Sequence, residues 1–297
     1  MKLYAPEYYK SFKCIADRCT HSCCIGWEID VDPDTAKKYS SLSHGYGKYI
    51  TESIEWNDTP HFKLSEGDRC PHLDGRGLCR IITELSEEHL CHICREHPRF
   101  YNDTPHGKEV GVGIACEEAA RLVLSSDGYT KIEVIGVVED EENEFFFDPT
   151  VLRQRIYSLL SDRSIPYAER LDALSEPFKE SLASIEAIKE LIASLEYLDE
   201  GHRTLFTSHC SFCEAPKELE SQFERSLAYF IYRHCTAAWD EEEFLASLGF
   251  SLFCERLIRA LSVGGLDVIE AARIVSEELE YSEDNTESIK NMFYARD

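Results

Sequence analysis

The sequence predicts a mainly α protein: a cysteine-rich, metal-binding N-terminal half with a few short strands, packed on an all-helical C-terminal half. Two observations carry this reading. Nine of the 13 cysteines fall in the first 116 residues, among histidines, glycines and turn signals. After Phe145-Phe146-Phe147-Asp148-Pro149, apolar residues recur at helical spacing, as in Phe223, Leu227, Phe230 and Ile231, and again in Leu252, Phe253, Leu257, Ile258 and Leu261. The change of texture divides the chain into a cysteine-rich metal domain, 1–147, and a helical domain, 148–297. Pro149 then fits the first turn of a new helix.

In the first half, Asp32-Pro33-Asp34 starts a helix running to about Leu42, with Asp32 as its N-cap. His61 to Leu64 reads as a short strand. Cys70 to Cys79 reads as a tight hairpin, because Asp74-Gly75 followed by Gly77 supplies the positive-φ turn and brings the end cysteines together. Ser86 caps a helix that carries Cys91 and Cys94 one turn apart. Glu109 to Ala115 has strand character, Cys116 to Leu124 is helical, and Lys131 to Val138 is a strand. In the second half, helices are expected near 149–161, 166–174, 176–197, 217–237, 240–262, 265–280 and 283–294. Gly264-Gly265 marks a break between two of them.

Lys and Arg number 31 against 56 Asp and Glu, a formal charge of −25. Nucleic acid is excluded as a partner, because neutralising phosphate needs clustered cations. A lysine-bearing protein suits such a surface better, although an acidic surface also serves solubility alone. The N-terminal residues Met1-Lys2-Leu3-Tyr4-Ala5-Pro6-Glu7 have no apolar signal region, and no apolar run approaches membrane-spanning length. The expected location is the cytoplasm, with no membrane association. Thiols stay reduced there, so metal ligation is favoured over a disulfide framework.

The candidate ligands form two tight sets, Cys14-x4-Cys19-x3-Cys23-Cys24 and Cys70-x8-Cys79-x11-Cys91-x2-Cys94, with Cys116 just beyond. Thiolates are soft donors, and four of them complete either a tetrahedral zinc site or a 4Fe–4S cluster. Nine exceed one such site, so two sites, or one site with extra thiols, both remain open. Cys91 and Cys94 alone match a zinc knuckle. The longer gaps suit a cluster gathered from several loops, which favours iron–sulfur with zinc as the alternative. The adjacent Cys23 and Cys24 are expected to point apart, one toward metal and the other toward the core or a second site. His21, His72, His92 and His97 lie among these cysteines and read as surface or hydrogen-bonding residues. Cys210, Cys213, Cys235 and Cys254 read as buried or incidental thiols. No dinucleotide-binding glycine motif, Walker A sequence, nucleophile elbow or zinc-protease helix is present.

The segment from Lys13 to Asp30, which holds Cys14-Ile15-Ala16-Asp17-Arg18-Cys19 and Cys23-Cys24-Ile25-Gly26-Trp27, resembles the opening of the flagellin lysine-N-methylase family. Cys70-Pro71-His72-Leu73, Gly77-Leu78-Cys79-Arg80-Ile81, Cys91-His92-Ile93-Cys94-Arg95-Glu96-His97-Pro98-Arg99-Phe100 and Ile114-Ala115-Cys116-Glu117-Glu118 continue the likeness. So do Tyr229 to His234 and Ser276 to Asn285. The cysteine-rich half is also similar to a broader group of zinc- or iron-chelating domains with a CxxCxxCC motif. The resemblance implies methyl transfer from S-adenosylmethionine to lysine ε-amines of flagellin or another lysine-bearing protein, by a protein holding a 4Fe–4S cluster. A non-catalytic metal-binding scaffold or metal-handling protein is the alternative. Trp27, Glu28, Arg95, Arg99 and Tyr101 are the candidate substrate-facing residues, each with core packing or salt bridging as the competing role.

Overall fold

A computed structural model describes residues 1–139, 144–211 and 213–294. The chain forms two compact units, Met1–Phe12 with Arg99–Asp297, and Lys13–Pro98. The boundary expected at 147/148 therefore falls inside the larger unit. The reason lies in strand pairing. β1 (Lys2–Pro6) belongs to a sheet whose other strands come after residue 98, so the chain's first residues join the helical body and not the cysteine-rich segment that follows them.

The smaller unit holds α1 (Pro33–Ser40), α2 (Gly45–Glu52), β2 (Ile54–Glu55), β3 (His61–Phe62), α3 (Arg80–Glu84) and α4 (His92–Glu96). Asp32 caps α1 as expected, accepting from Thr35 N at 3.0 Å. The single helix expected after Ser86 is instead a 3-10 turn, Glu87–His89, and then α4, separated by the extended Leu90. These short elements share one core of Ile29, Val31, Tyr39, Ile50, Phe62 and Ile81, into which Cys70 and Cys91 are also packed.

The larger unit continues with β4 (Arg99–Thr104), β5 (Gly107–Val112), α5 (Glu117–Ser125) and β6 (Ile132–Val137). The sheet order is β4-β5-β1-β6, with β1 parallel to β5 and antiparallel to β6. Gly107 has φ +144°, and a Cβ there would stand 2.3 Å from Lys2 O, so only glycine lets β1 close on the β4–β5 hairpin. Helices follow: α6 (Pro149–Leu160), α7 (Tyr167–Ser175), α8 (Lys179–Ala183), α9 (Ile185–Ser194), α10 (Glu200–Ser208), α11 (Glu220–Phe230), α12 (Glu241–Val263), α13 (Val268–Glu280) and α14 (Glu283–Lys290). The mainly α class and the all-helical run after Asp148 are thus observed. The helix expected over 176–197 is broken at Ser184, whose hydroxyl caps α9 by accepting from Ala187 N. A π turn, Ile231–Cys235, extends α11. No helix among the described residues is long and apolar enough to cross a membrane.

Buried glutamates hold this unit together, each matched to arginine. Glu109 on β5 takes a two-pronged bond from Arg153 on α6 at 2.6 and 2.8 Å, with both side chains almost wholly buried. Glu224 is reached by Arg170 and Arg163, each at 2.6 Å, and by the Tyr129 hydroxyl. Glu280 accepts from Tyr229, Ser276 and His234, with Arg233 Nε 3.4 Å away. Burial alone would raise the Glu280 pKa, but Arg233, His234 and Ser276 outweigh it and hold the carboxyl below its ordinary value.

Arg153→Met leaves Glu109 buried without its cation and should cost about 3–5 kcal/mol in urea denaturation. The double variant with Glu109→Gln should recover part of that loss. A second expectation concerns His202, which shares a 2.6 Å hydrogen bond with Glu278 that raises its pKa. Stabilisation from a raised imidazole is complete below the unfolded value of about 6.5 and fades as pH rises through the folded value. His202→Ala should therefore destabilise the protein more at about pH 6 than at about pH 9.

Candidate metal centre

The local sequence builds the site in three pieces. In the first, Cys14 accepts from Ala16 N at 3.4 Å, and a 3-10 turn, Ala16–Arg18, leads to Cys19, whose thiol donates to His21 O at 3.1 Å. A turn closed by Ile25 N to Ser22 O then curls Cys23 and Cys24 together. The adjacent thiols meet, contrary to the expectation that they point apart. Cys23 donates to the Cys24 sulfur, which lowers the Cys24 pKa to about 7 against the opposing effect of burial. Ser22 and Arg69 act in the same direction as Cys23. Arg69 and Ser22 were not singled out from the sequence, although Arg69 directly precedes Cys70.

The second piece is the hairpin. Cys70 N donates to Cys24 O at 2.8 Å, tying the first piece to it. Asp74 Oδ1 accepts from Arg76 N and Leu78 N, and Gly77 adopts φ +81°, so the chain reverses and Leu73 pairs with Cys79. Cys79 is the N-cap of α3, where its sulfur faces the Ile81 and Ile82 amides. The third piece is α4, with Cys91 as N-cap and Cys94 one turn on. Cys94 donates to Cys91, pushing the Cys91 pKa down and its own up.

Five cysteines are brought together: 24, 70, 79, 91 and 94. All pack into the core of the smaller unit and sense one another's charge. Burial drives the Cys70 thiol up to about 12 and also raises Cys79, against the opposing effect of nearby backbone N–H groups. The donor set is all sulfur, the chemistry of zinc or an iron–sulfur cluster, but among the described residues no three of these sulfurs lie within 4.8 Å of one another, as ligands of one metal ion would. Cys14 and Cys23 are exposed and Cys19 half-buried. Cys116 lies in the larger unit, where it caps α5 and faces Tyr281.

His72 is fully buried, with Tyr46 Oη 2.8 Å from Nδ1 and Ser53 Oγ 3.0 Å from Nε2. Burial and Arg80 push its pKa down to about 4, so both ring nitrogens serve the core as a neutral imidazole. His97 packs against the Trp27 ring, and the His92 amide donates to Asp32. Cys210, Cys235 and Cys254 are buried in the larger core, as the sequence indicated. Phe212, between Cys210 and Cys213, is outside the described residues. Of the substrate-facing candidates, Trp27 bonds Cys23 O at 2.9 Å and Arg99 bonds the Tyr9 hydroxyl at 3.0 Å. Glu28, Arg95 and Tyr101 lie at the surface.

Fold and site together define a mainly α protein whose smaller unit is centred on buried sulfur donors. The chain is similar to a flagellar biosynthetic protein, FliU, of Salmonella muenchen, 27% identical over 130 residues that cover 40% of this chain and 75% of that protein. It is equally similar to the lysine-N-methylases of Salmonella typhimurium and Salmonella choleraesuis, 27% identical over 130 residues, 40% of this chain and 32% of each relative. The match thus spans about a third of the two methylases. No protein-family model matches the chain, and no solved structure does.

Cys91→Ser should lower the metal bound by anaerobically purified protein at least tenfold, whereas Cys254→Ala should leave it unchanged. Elemental analysis for iron and zinc reads both.

Proposed function

We propose that this protein is a protein-lysine N-methyltransferase, acting on flagellin with S-adenosylmethionine as donor and holding a 4Fe–4S cluster on four of the five core-packed thiols. One observation carries the metal half of this reading: Cys24, Cys70, Cys79, Cys91 and Cys94 come from three separated stretches into one core. The donor set suits a cluster better than a lone knuckle, because it is gathered from loops. Similarity to proteins named lysine-N-methylase supports the reaction, and the net charge of −25 supports a basic acceptor surface.

Methyl transfer is a polar displacement in which a neutral amine attacks the sulfonium methyl in line, so the protein must deprotonate and position the lysine. A cluster bound at these thiols would supply cross-links among loops with few backbone ladders of their own. The cysteines therefore act as structural ligands, and the amine chemistry falls to other residues.

Anaerobically purified protein incubated with flagellin and S-adenosylmethionine should add methyl groups to flagellin lysines, read as one-methyl mass steps. Brown protein containing iron and sulfide, with broad absorption near ~400 nm, is expected alongside. Bound metal without any methyl transfer would favour the scaffold alternative, which the core position of the thiols also accommodates.

A further inference from the structure

Among the described residues, two groups of three side chains bring metal-ligating atoms within 4.8 Å of one another: His202, Glu277 and Glu278, and Glu28, Asp30 and His61. The first group is already committed. Glu278 accepts from Leu198 N, Asp199 N and His202, and Glu277 is paired with Arg273. The second group is not. Among the described residues, no lysine or arginine pairs with Glu28, Asp30 or the neighbouring Glu55.

The backbone builds this second group. The stretch 28–31 runs antiparallel to β3, with Val31 N donating to Pro60 O at 2.7 Å and Phe62 N to Ile29 O at 3.0 Å. Asp30 is thereby bridged to His61, and Glu55 of β2 pairs with His61 from the other side. Side chains alternate between the two faces of such a ladder. Ile29, Val31, Ile54 and Phe62 are buried in the core, so Glu28, Asp30, Glu55 and His61 share the outer face.

His61 adds what a set of carboxylates alone does not. Its Nδ1 lies 3.0 Å from Thr59 O, and a carbonyl only accepts, so Nδ1 carries the proton and Nε2 of the neutral ring turns its lone pair to the acids. A ligating imidazole is commonly held in this way. Nε2 is 3.4 Å from Glu28 Oε2 and 3.8 Å from Glu55 Oε2, longer than an ordinary hydrogen bond. Two atoms each about 2.1 Å from one tetrahedral zinc ion stand about 3.4 Å apart. An imidazolium would offset one negative charge on this face, whereas a divalent cation offsets two and uses the lone pair.

We propose that Glu28, Asp30 and His61 hold a divalent transition-metal cation, separate from the thiol group, with a fourth position open to solvent. One imidazole nitrogen and two carboxylate oxygens suit zinc or manganese. A cation there clips the stretch that follows Cys23 and Cys24 onto β3.

The test is titration of the full, anaerobically purified chain with Mn²⁺, read by electron paramagnetic resonance of the free ion. Manganese favours oxygen and nitrogen donors over thiolate, so the thiol group does not compete for it. Wild-type protein should take up one Mn²⁺ per chain and release it to added Zn²⁺, which binds such donors more tightly. Glu28→Gln, Asp30→Asn and His61→Gln should each lower Mn²⁺ affinity at least tenfold. Asp58→Asn, a nearby exposed carboxylate, should leave it unchanged. Circular dichroism checks folding; Glu28 and Asp30 are exposed, so their two variants carry the test if His61→Gln unfolds. A wild-type chain with no saturable Mn²⁺ site would overturn the assignment. So would Mn²⁺ that zinc does not displace, affinity retained in the folded Glu28→Gln and Asp30→Asn proteins, or an equal loss in Asp58→Asn.

Discussion

Placing sulfur where a small domain would normally place hydrocarbon constrains everything in the smaller unit. Its strands are two residues long and two of its helices are five residues long, so backbone ladders contribute little to holding it together. The core closes by packing Cys70 and Cys91 among isoleucines, Phe62 and Tyr39. A protonated thiol behaves there as a small hydrophobe, but an ionised one needs a cation. A metal bound there would couple its binding to folding, since the geometry that buries the thiols also gathers them. Small units with limited apolar cores commonly depend on such cross-links.

The larger unit solves the same problem with buried charge. Glu109, Glu224, Glu255 and Glu280 are each paired with arginine inside the body. The Glu280 group joins Tyr229, Arg233, His234 and Ser276, and Tyr229 Oη also accepts from Ile114 N at 3.2 Å. The three stretches of this unit with a family likeness, around Ile114, Tyr229 and Ser276, thus converge on one buried carboxylate. Because these internal pairs are neutral overall, the excess of negative charge falls to the remaining surface groups, where an approaching basic protein would meet it.

Much of this was legible in the sequence because it is local. Asp32-Pro33 and Asp148-Pro149 announce helix starts through side-chain capping, and both caps form. The Cys70–Cys79 hairpin follows from Asp74 and Gly77 within a few residues. What escaped is non-local. Lys2 to Pro6 carries no strong strand signal and becomes β1 only by pairing with residues more than a hundred positions away. For that reason the boundary expected at 147/148 lies inside the larger unit. Selecting five of nine early cysteines likewise depends on Cys24 meeting Cys70 through the backbone, a contact that spacing does not encode. Cys23 and Cys24 converge because a tight turn overrides the usual divergence of neighbouring side chains.

The chain leaves the larger unit after Phe12 and re-enters it at Arg99. During synthesis from the N-terminus, all the residues of the smaller unit are made before β5 and β6, the partners that β1 needs. Its five core thiols can be gathered while the host sheet is still incomplete. Packing of the sulfur-lined core and closure of the helical body are therefore separable in time, and a fault in the thiols would meet the smaller unit first.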